Sequence, residues 1–161
     1  AIIADIQAQL KWGFALVAVL AVFNSGGRVL GGFLSDRFGR NTTLILMFAL
    51  QAVNMLMFSN YTSMTSLTVG VCITGIAYGS LLGIFPALTY DFFGLKNSGV
   101  NYGLVFTAFG AAGLIGPLTA GKIVDITGSY DYAYLAAAAI LVIAAIMVKF
   151  LKQPQQEAVI S

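Results

Sequence analysis

Five long apolar stretches, separated by short charged or turn-rich segments, make up most of the 161-residue chain. We predict membrane-spanning helices over residues 12–34, 42–60, 65–88, 101–121 and 132–150. Most of these stretches approach the roughly 20 residues that a bilayer core of about 30 Å requires of a helix. The second is the shortest, because its apolar part runs only from Leu44 to Phe58. The pattern predicts an all-α membrane protein.

The composition supports a membrane environment. Hydrophobic residues make up 59% of the chain and charged residues only 9%, whereas a soluble domain carries roughly 25% charged residues. The net charge of +2 is too small to indicate nucleic acid binding. Cys72 is the single cysteine, so no disulfide can form within the chain. The sequence opens with AIIADIQAQL rather than Met, which predicts that it is part of a longer protein.

The cationic residues predict the orientation in the membrane. Assigning successive loops to alternate sides places one group of cations together: Arg37, Arg40, Lys96, Lys149 and Lys152. Lys11 and Lys122 lie on the other side. Because cytoplasmic loops are rich in Lys and Arg, the larger group is predicted to be cytoplasmic. The C-terminus of this multi-pass protein would then lie in the cytoplasm, and the cell membrane is its expected location.

Arg28 lies inside the first apolar stretch, eight residues before Asp36, or roughly 12 Å deeper in the bilayer at about 1.5 Å per residue. A charge at mid-depth is unfavourable by about 2.5 to 3.5 kcal/mol unless something compensates it. On a helical projection, small or polar residues surround it: Ala21, Asn24, Ser25, Gly31, Gly32 and Ser35. Such a stripe is expected to face protein or a water-filled cavity rather than lipid.

No acidic residue of the chain is predicted to reach Arg28 at that depth. All six lie at span ends, in loops or in the tail: Asp5, Asp36, Asp91, Asp125, Asp131 and Glu157. The partner is then a residue outside this sequence in a structural ion pair, backbone carbonyls with water, or an anionic substrate. The planar guanidinium matches a carboxylate with two parallel hydrogen bonds. Asn24, one turn earlier, can hydrogen-bond either the guanidinium or a bound ligand.

Glycine is frequent within the apolar stretches. Gly75, Gly79 and Gly83 repeat at intervals of four on the third helix, a spacing that lets helix backbones approach closely in lipid. A second set, Gly110, Gly113 and Gly116, is followed by Pro117. This segment predicts an interrupted fourth helix, with a kink or mobile segment near Pro117 as a functional alternative to simple close packing.

The segment GGFLSDRFGR contains G-x-x-x-D-R-x-G-R, formed by Gly32, Asp36, Arg37, Gly39 and Arg40. This motif resembles the cytoplasmic loop signature of the major facilitator superfamily. The resemblance implies helices eight to twelve of a twelve-helix transporter, whose N-terminal half lies outside this sequence.

The chemistry of the motif suggests how it acts. Gly39 would support a tight turn and Gly32 would let another helix approach. Asp36 would pair with Arg40 or lie at a helix N-terminus. Such contacts are expected to hold the cytoplasmic side closed in one state, whereas the simpler alternative is a loop rich in arginine because it is cytoplasmic.

A finer resemblance is carried by NSGGRVLGGFLSDRFGR, GIAYGSLLGIFPAL, FGLKNSGVNYGLVFTAFGAAGLIGP and DITGSYDYAY. These segments are similar to the branch that contains oxalate/formate antiporters and monocarboxylate transporters. The resemblance implies that Arg28 meets the substrate carboxylate. Asn24 stands where monocarboxylate transporters often have an acidic residue, and Phe109 stands where the oxalate pattern has a lysine. With one cation rather than two, a monocarboxylate such as lactate or pyruvate is the expected substrate.

The resemblance also places Tyr78 at an aromatic position that lines the pocket, with Leu82 one turn further along. The Tyr78 hydroxyl would reach a substrate oxygen or hydrogen-bond another helix. Tyr61 and Tyr102 are predicted to lie in the aromatic belts at the membrane interfaces.

The predicted function is secondary active transport by alternating access between two six-helix halves, coupled to a proton or a counter-anion. An oxalate/formate-type anion exchanger is the nearest alternative. A receptor or a non-transporting membrane subunit, with a structural arginine, is an alternative of another class. No metal-ligand cluster, nucleophile with a base, or phosphate-binding loop is present in the sequence, so neither an enzyme nor a bound cofactor is expected.

Overall fold

The computed structural model describes the backbone from Ile2 to Leu151 and the side chains from residue 11 onward. The side chains of Asp5, Lys152 and Glu157, considered above, lie outside this part. This part of the chain forms five helices: α1 (Ile2–Phe38), α2 (Arg40–Phe58), α3 (Met64–Phe93), α4 (Ser98–Thr127) and α5 (Asp131–Lys149). Each is long and apolar enough to cross a membrane, which confirms the predicted all-α membrane fold.

The helix boundaries differ from the predicted spans mainly by extension. The first, third and fourth spans lie inside helices that continue beyond them, while α2 and α5 end within two residues of the predicted ends. Hydropathy marks the part of a helix that lies in hydrocarbon, whereas hydrogen bonding continues into the polar interface. The α1–α2 junction is a single residue, Gly39, with φ of +88°, a value that non-glycine residues rarely adopt. This confirms the predicted tight turn.

Helices α1 and α3 pack backbone against backbone. A Cβ atom added at Gly75 would lie 2.8 Å from the Cβ of Phe23, and one at Gly83 would lie 2.7 Å from the carbonyl oxygen of Arg28. From the other side, a Cβ at Gly27 would lie 2.5 Å from the carbonyl oxygen of Ile76. The predicted role of the α3 glycines in close helix contact is confirmed.

One buried hydrogen bond supports the same contact. The Ser80 hydroxyl, which is fully buried, donates to the Gly27 carbonyl oxygen at 3.0 Å. Within a membrane such interhelical bonds are worth about 0.6 to 2 kcal/mol. The α1–α3 pair is therefore closely packed, with the two main chains in direct contact.

A polar network joins α2 to α3. The Asn54 amide donates to the Gly70 carbonyl oxygen at 3.0 Å and to the Thr74 hydroxyl at 3.1 Å. The Tyr61 hydroxyl donates to Asn54 Oδ1 at 3.1 Å. Tyr61, which was predicted to lie in an aromatic belt, thus also supplies a donor to a buried amide oxygen.

Helix α4 is the least buried of the five. It passes through Pro117 as one continuous helix and has no buried residue. The predicted interruption was wrong, because membrane helices accommodate proline when neighbouring groups satisfy the freed carbonyl. Cβ atoms added at Gly110, Gly113 and Gly116 would meet nothing within 4 Å. These glycines therefore do not mediate close packing within the described part of the chain.

Candidate functional site

A cavity of about 500 Å³ lies between α1, α3 and α4. Six residues line it: Asn24, Arg28, Tyr78, Leu82, Tyr102 and Phe106. Four of the five residues predicted to bind substrate are thus brought together around one space. Arg28 is the only charged residue in this lining, so the cavity has the electrostatic character of a site for a single negative charge.

Arg28 has one polar partner among the described residues. Its Nε donates to Asn24 Oδ1 at 3.4 Å, one helical turn earlier. No acidic side chain in residues 11–151 forms an ion pair with it, since both ion pairs found there belong to Arg40. The two terminal nitrogens of the guanidinium, which form the bidentate fork, are therefore left for another partner.

The main chain of α1 is held in place directly behind this side chain. Gly79 lies against the carbonyl of Asn24, and Gly83 lies against the carbonyl of Arg28. A larger residue at either position would push α1 away from α3. The glycine spacing on α3 thus determines where the guanidinium stands in the cavity.

Aromatic residues of α3 and α4 form the apolar side of the site. The rings of Tyr102 and Phe106 lie 5.6 Å apart, and Phe106 stacks on Phe109 with ring centroids 5.3 Å apart. Phe109 also meets Tyr78 edge-on at 6.3 Å and Phe85 at 5.7 Å. The contacts form a connected aromatic cluster.

The cluster bears on two sequence-based predictions. Phe109 does not line the cavity, because it lies behind Tyr78 and Phe106 and packs against both. Its influence on cavity shape is therefore indirect. Tyr102, which was predicted to lie in an aromatic belt, also lines the cavity. Tyr102 and Phe106 are four residues apart and share a face of α4. This spacing can be seen in the sequence and predicts that the two residues face the same space.

The loop motif forms an ionic cluster at the C-terminal end of α1. Arg40 pairs through Nε with Asp91, and its Nη1 lies 3.5 Å from Asp36 Oδ1. The Ser35 hydroxyl accepts a hydrogen bond from Arg40 Nη1 at 3.3 Å. The predicted Asp36–Arg40 pair is present. Asp91 was missed, although its loop had been assigned to the same side as Arg40.

Two further members of the motif differ in their surroundings. A Cβ at Gly32 would meet nothing within 4 Å, whereas one at Gly31 would lie 2.5 Å from Ser80 Cα. Gly31, not Gly32, is the glycine at which α3 approaches. Arg37 lies with its guanidinium carbon 5.8 Å from the Phe38 ring centre. All of these contacts lie within the five helices, so a gating role for the motif stays a prediction.

The membrane-length helices, and the open cavity that one cation lines between α1, α3 and α4, define a multi-pass membrane protein with a polar site among its helices. The sequence pattern of the Major Facilitator Superfamily matches residues 2–161. The chain therefore belongs to the major facilitator superfamily, a family of transporters rather than enzymes.

Individual relatives match shorter regions. An uncharacterised MFS-type transporter of Escherichia coli K12 is 31% identical over 96 residues, which cover 58% of this chain and 24% of that protein. The oxalate:formate antiporter of Oxalobacter formigenes is 29% identical, over 62% of this chain and 24% of the antiporter. Human monocarboxylate transporter 14 is 26% identical, over 75% of this chain and 24% of the transporter. The chain matches about a quarter of the length of these relatives. They confirm the predicted branch of the superfamily.

Proposed function

We propose that the full-length protein is a secondary active transporter of small monocarboxylates such as lactate and pyruvate, and that Arg28 binds the carboxylate. One observation carries the proposal: Arg28 lines a cavity and has no acidic partner among the described residues. Since Asn24 accepts from Nε, the two Nη groups are free to donate to both carboxylate oxygens. The carboxylate of the substrate would supply the negative charge that no described residue places beside Arg28.

The rest of the lining supports a small organic anion with one charge. Leu82 and Phe106 provide apolar contact, and Tyr78 and Tyr102 provide hydroxyl groups. No second cation lines the cavity, which favours a monocarboxylate over a dicarboxylate. Oxalate/formate-type exchange is the second candidate, supported by the relative from Oxalobacter formigenes. A second cation from an N-terminal half of the same transporter would favour it.

The proposed mechanism is alternating access. The α1–α3 pair carries Arg28, and an N-terminal six-helix half would rock against it to expose the cavity to either side. The positive-inside rule supports a cytoplasmic location for the C-terminus in the cell membrane. The coupled partner would be a proton that accompanies the carboxylate or is carried by the N-terminal half.

Uptake of labelled pyruvate by proteoliposomes containing the full-length protein tests this proposal. Arg28→Gln should abolish saturable uptake, and Arg28→Lys should retain part of it, because Lys keeps the charge but not the bidentate fork. Lys122→Gln is the matched control, since it removes one exposed cation of α4 that lies outside the cavity. Uptake by Arg28→Gln at the wild-type rate would overturn the role of Arg28.

Thermal unfolding separates transport from the structural-arginine alternative. Pyruvate at a hundredfold excess over its Kd stabilises a folded state by about 2.7 kcal/mol. It should therefore raise the Tm of the wild type and leave that of Arg28→Gln unchanged. If Arg28→Gln lowered the Tm while pyruvate never protected the wild type, a purely structural arginine would be the correct account. Protection without uptake would indicate a receptor.

The coupled partner is tested with imposed gradients. An inward proton gradient should accelerate pyruvate uptake into vesicles that contain no internal anion substrate. Acceleration only after preloading with formate or pyruvate would instead identify an exchanger.

A further inference from the structure

Gln51 has a buried oxygen without a hydrogen-bond donor. Its side-chain nitrogen donates to the Thr74 hydroxyl at 3.2 Å, but its Oε1 is buried and has no partner among the described residues. Leaving a buried acceptor unpaired destabilises the folded state. A donor that reaches Oε1 in another state of the protein would remove this penalty.

Gln51 lines a second cavity, of about 160 Å³, between α2, α3 and α5. Its polar lining residues are Gln51, Thr74 and Tyr78. The Thr74 hydroxyl already donates to the Gly70 carbonyl oxygen at 3.0 Å, so it has no further proton to give. Tyr78 is thus the one side chain in this lining that has a hydroxyl proton free for Gln51.

Tyr78 also lines the Arg28 cavity, so its side chain borders both spaces. Its hydroxyl forms no hydrogen bond to any residue that the structure describes, and the residue is 46% exposed. Among the described residues, the one aromatic ring in contact with its ring is that of Phe109, edge-on at 6.3 Å. Rotation about the Tyr78 side-chain bonds, between staggered rotamers, would carry the hydroxyl from one space toward the other.

We propose that the Tyr78 hydroxyl alternates between two acceptors: Gln51 Oε1 when the Arg28 cavity is empty, and the substrate carboxylate when it is filled. This inference rests on the proposed function. Gln51 is then a positioning residue that acts through Tyr78 and competes with the substrate for its proton. Binding must draw Tyr78 away from Gln51, so the apparent Kd equals the intrinsic Kd divided by the fraction of protein in which the two are not paired.

Pyruvate binding to the full-length protein, measured by titration calorimetry, tests the competition. Gln51→Met removes the acceptor and should lower the Kd about three- to tenfold, the range expected for one hydrogen bond of about 1 kcal/mol. In a Tyr78→Phe background the same substitution should have no effect, because the hydroxyl is gone. An unchanged or higher Kd in Gln51→Met, or an equal effect in Tyr78→Phe, would overturn the inference.

Two control variants separate this effect from altered packing. Met47→Leu changes the shape of the same cavity without touching a polar atom, and should leave the Kd unchanged. Gln51→Glu keeps an acceptor oxygen at position 51 and should therefore not lower the Kd for pyruvate. A decrease in Kd for Met47→Leu as large as that for Gln51→Met would contradict a specific role for the Gln51 oxygen.

A spectroscopic measurement follows Tyr78 itself. With 3-fluorotyrosine at position 78, pyruvate should shift the ¹⁹F resonance, and Gln51→Met should shift the ligand-free resonance in the same direction. A ligand-free resonance unaffected by Gln51→Met would overturn the Gln51–Tyr78 pairing. If Arg28→Gln bound pyruvate normally, the proposed function would fail, whereas loss of binding in Arg28→Gln with no Gln51 effect would reject this inference alone.

Discussion

Asn24 Oδ1 accepts a hydrogen bond from Arg28 Nε at 3.4 Å, one turn along the same helix. The contact orients the guanidinium without neutralising it, because an amide carries no charge. A carboxylate at position 24 would compete with a bound anion for the same cation.

We therefore expect Asn24→Asp to raise the Kd for pyruvate roughly tenfold at pH 7.5, equivalent to about 1.4 kcal/mol. Lowering the pH should restore affinity, because protonation of the new carboxyl releases Arg28. Titration calorimetry across pH 5 to 7.5 measures both effects. Asn24→Leu, which removes the hydrogen bond without adding charge, should weaken binding less and without this pH dependence. Wild-type affinity of Asn24→Asp at pH 7.5 would contradict the competition.

Gly27 and Gly26 offer a matched test of the α1–α3 contact. A Cβ at Gly27 would press on the Ile76 backbone, whereas one at Gly26 would meet nothing within 4 Å. Gly27→Ala should lower the free energy of unfolding by about 1 to 3 kcal/mol relative to Gly26→Ala, as overpacking does in protein cores. Both changes favour helix formation equally, so thermal unfolding in detergent isolates the effect of α3. Equal Tm values would show that α1 and α3 are free to separate.

Substitution of Phe109 tests whether the aromatic cluster determines the number of cations near the bound anion. Phe109→Lys introduces a cation beside Phe106 and Tyr78, and its long side chain can extend toward the cavity. We expect at least a tenfold gain in oxalate affinity relative to Phe109→Met, which has a similarly long but uncharged side chain. Competition by oxalate against labelled pyruvate measures this gain. Equal competition in the two variants would mean that position 109 has no access to the bound anion.

The two carboxylate partners of Arg40 differ in their exposure to solvent. The Asp91 side chain is 34% exposed and that of Asp36 is 75% exposed. Because solvent screens exposed ion pairs, Asp91→Asn should lower the free energy of unfolding by about 1 to 2 kcal/mol, and Asp36→Asn by less than about 0.5 kcal/mol. Thermal unfolding at low and high salt measures both. A larger loss for Asp36→Asn would reverse the assigned order.

The sequence was sufficient to predict the five helices and the Arg28 site because both depend on local patterns. The length of each apolar stretch indicates a membrane span, and a charged residue among small residues indicates a polar interior. Asn24 and Arg28 share one helix face by spacing alone. The α3 glycines were likewise readable, since close contact in lipid calls for small residues at intervals of four.

The remaining details depend on how the helices are rotated about their axes. Phe106 and Phe109 are three residues apart on α4, and helical spacing alone does not determine which one faces Arg28. The Asp91–Arg40 pair joins residues 51 positions apart, so it follows from the docking of α2 on α3. Pro117 was misjudged because a rule for water-exposed helices was applied to a helix in lipid.

The helices that line the cavity differ in how closely they pack against the rest of the bundle. Backbone contacts with α3 fix Arg28 on α1, whereas α4 contributes Tyr102 and Phe106 without burying any residue. Substitutions on α4 can therefore reshape the cavity while the cation keeps its place. For the proposed anion site, single changes in α4 are therefore expected to alter anion preference without moving Arg28.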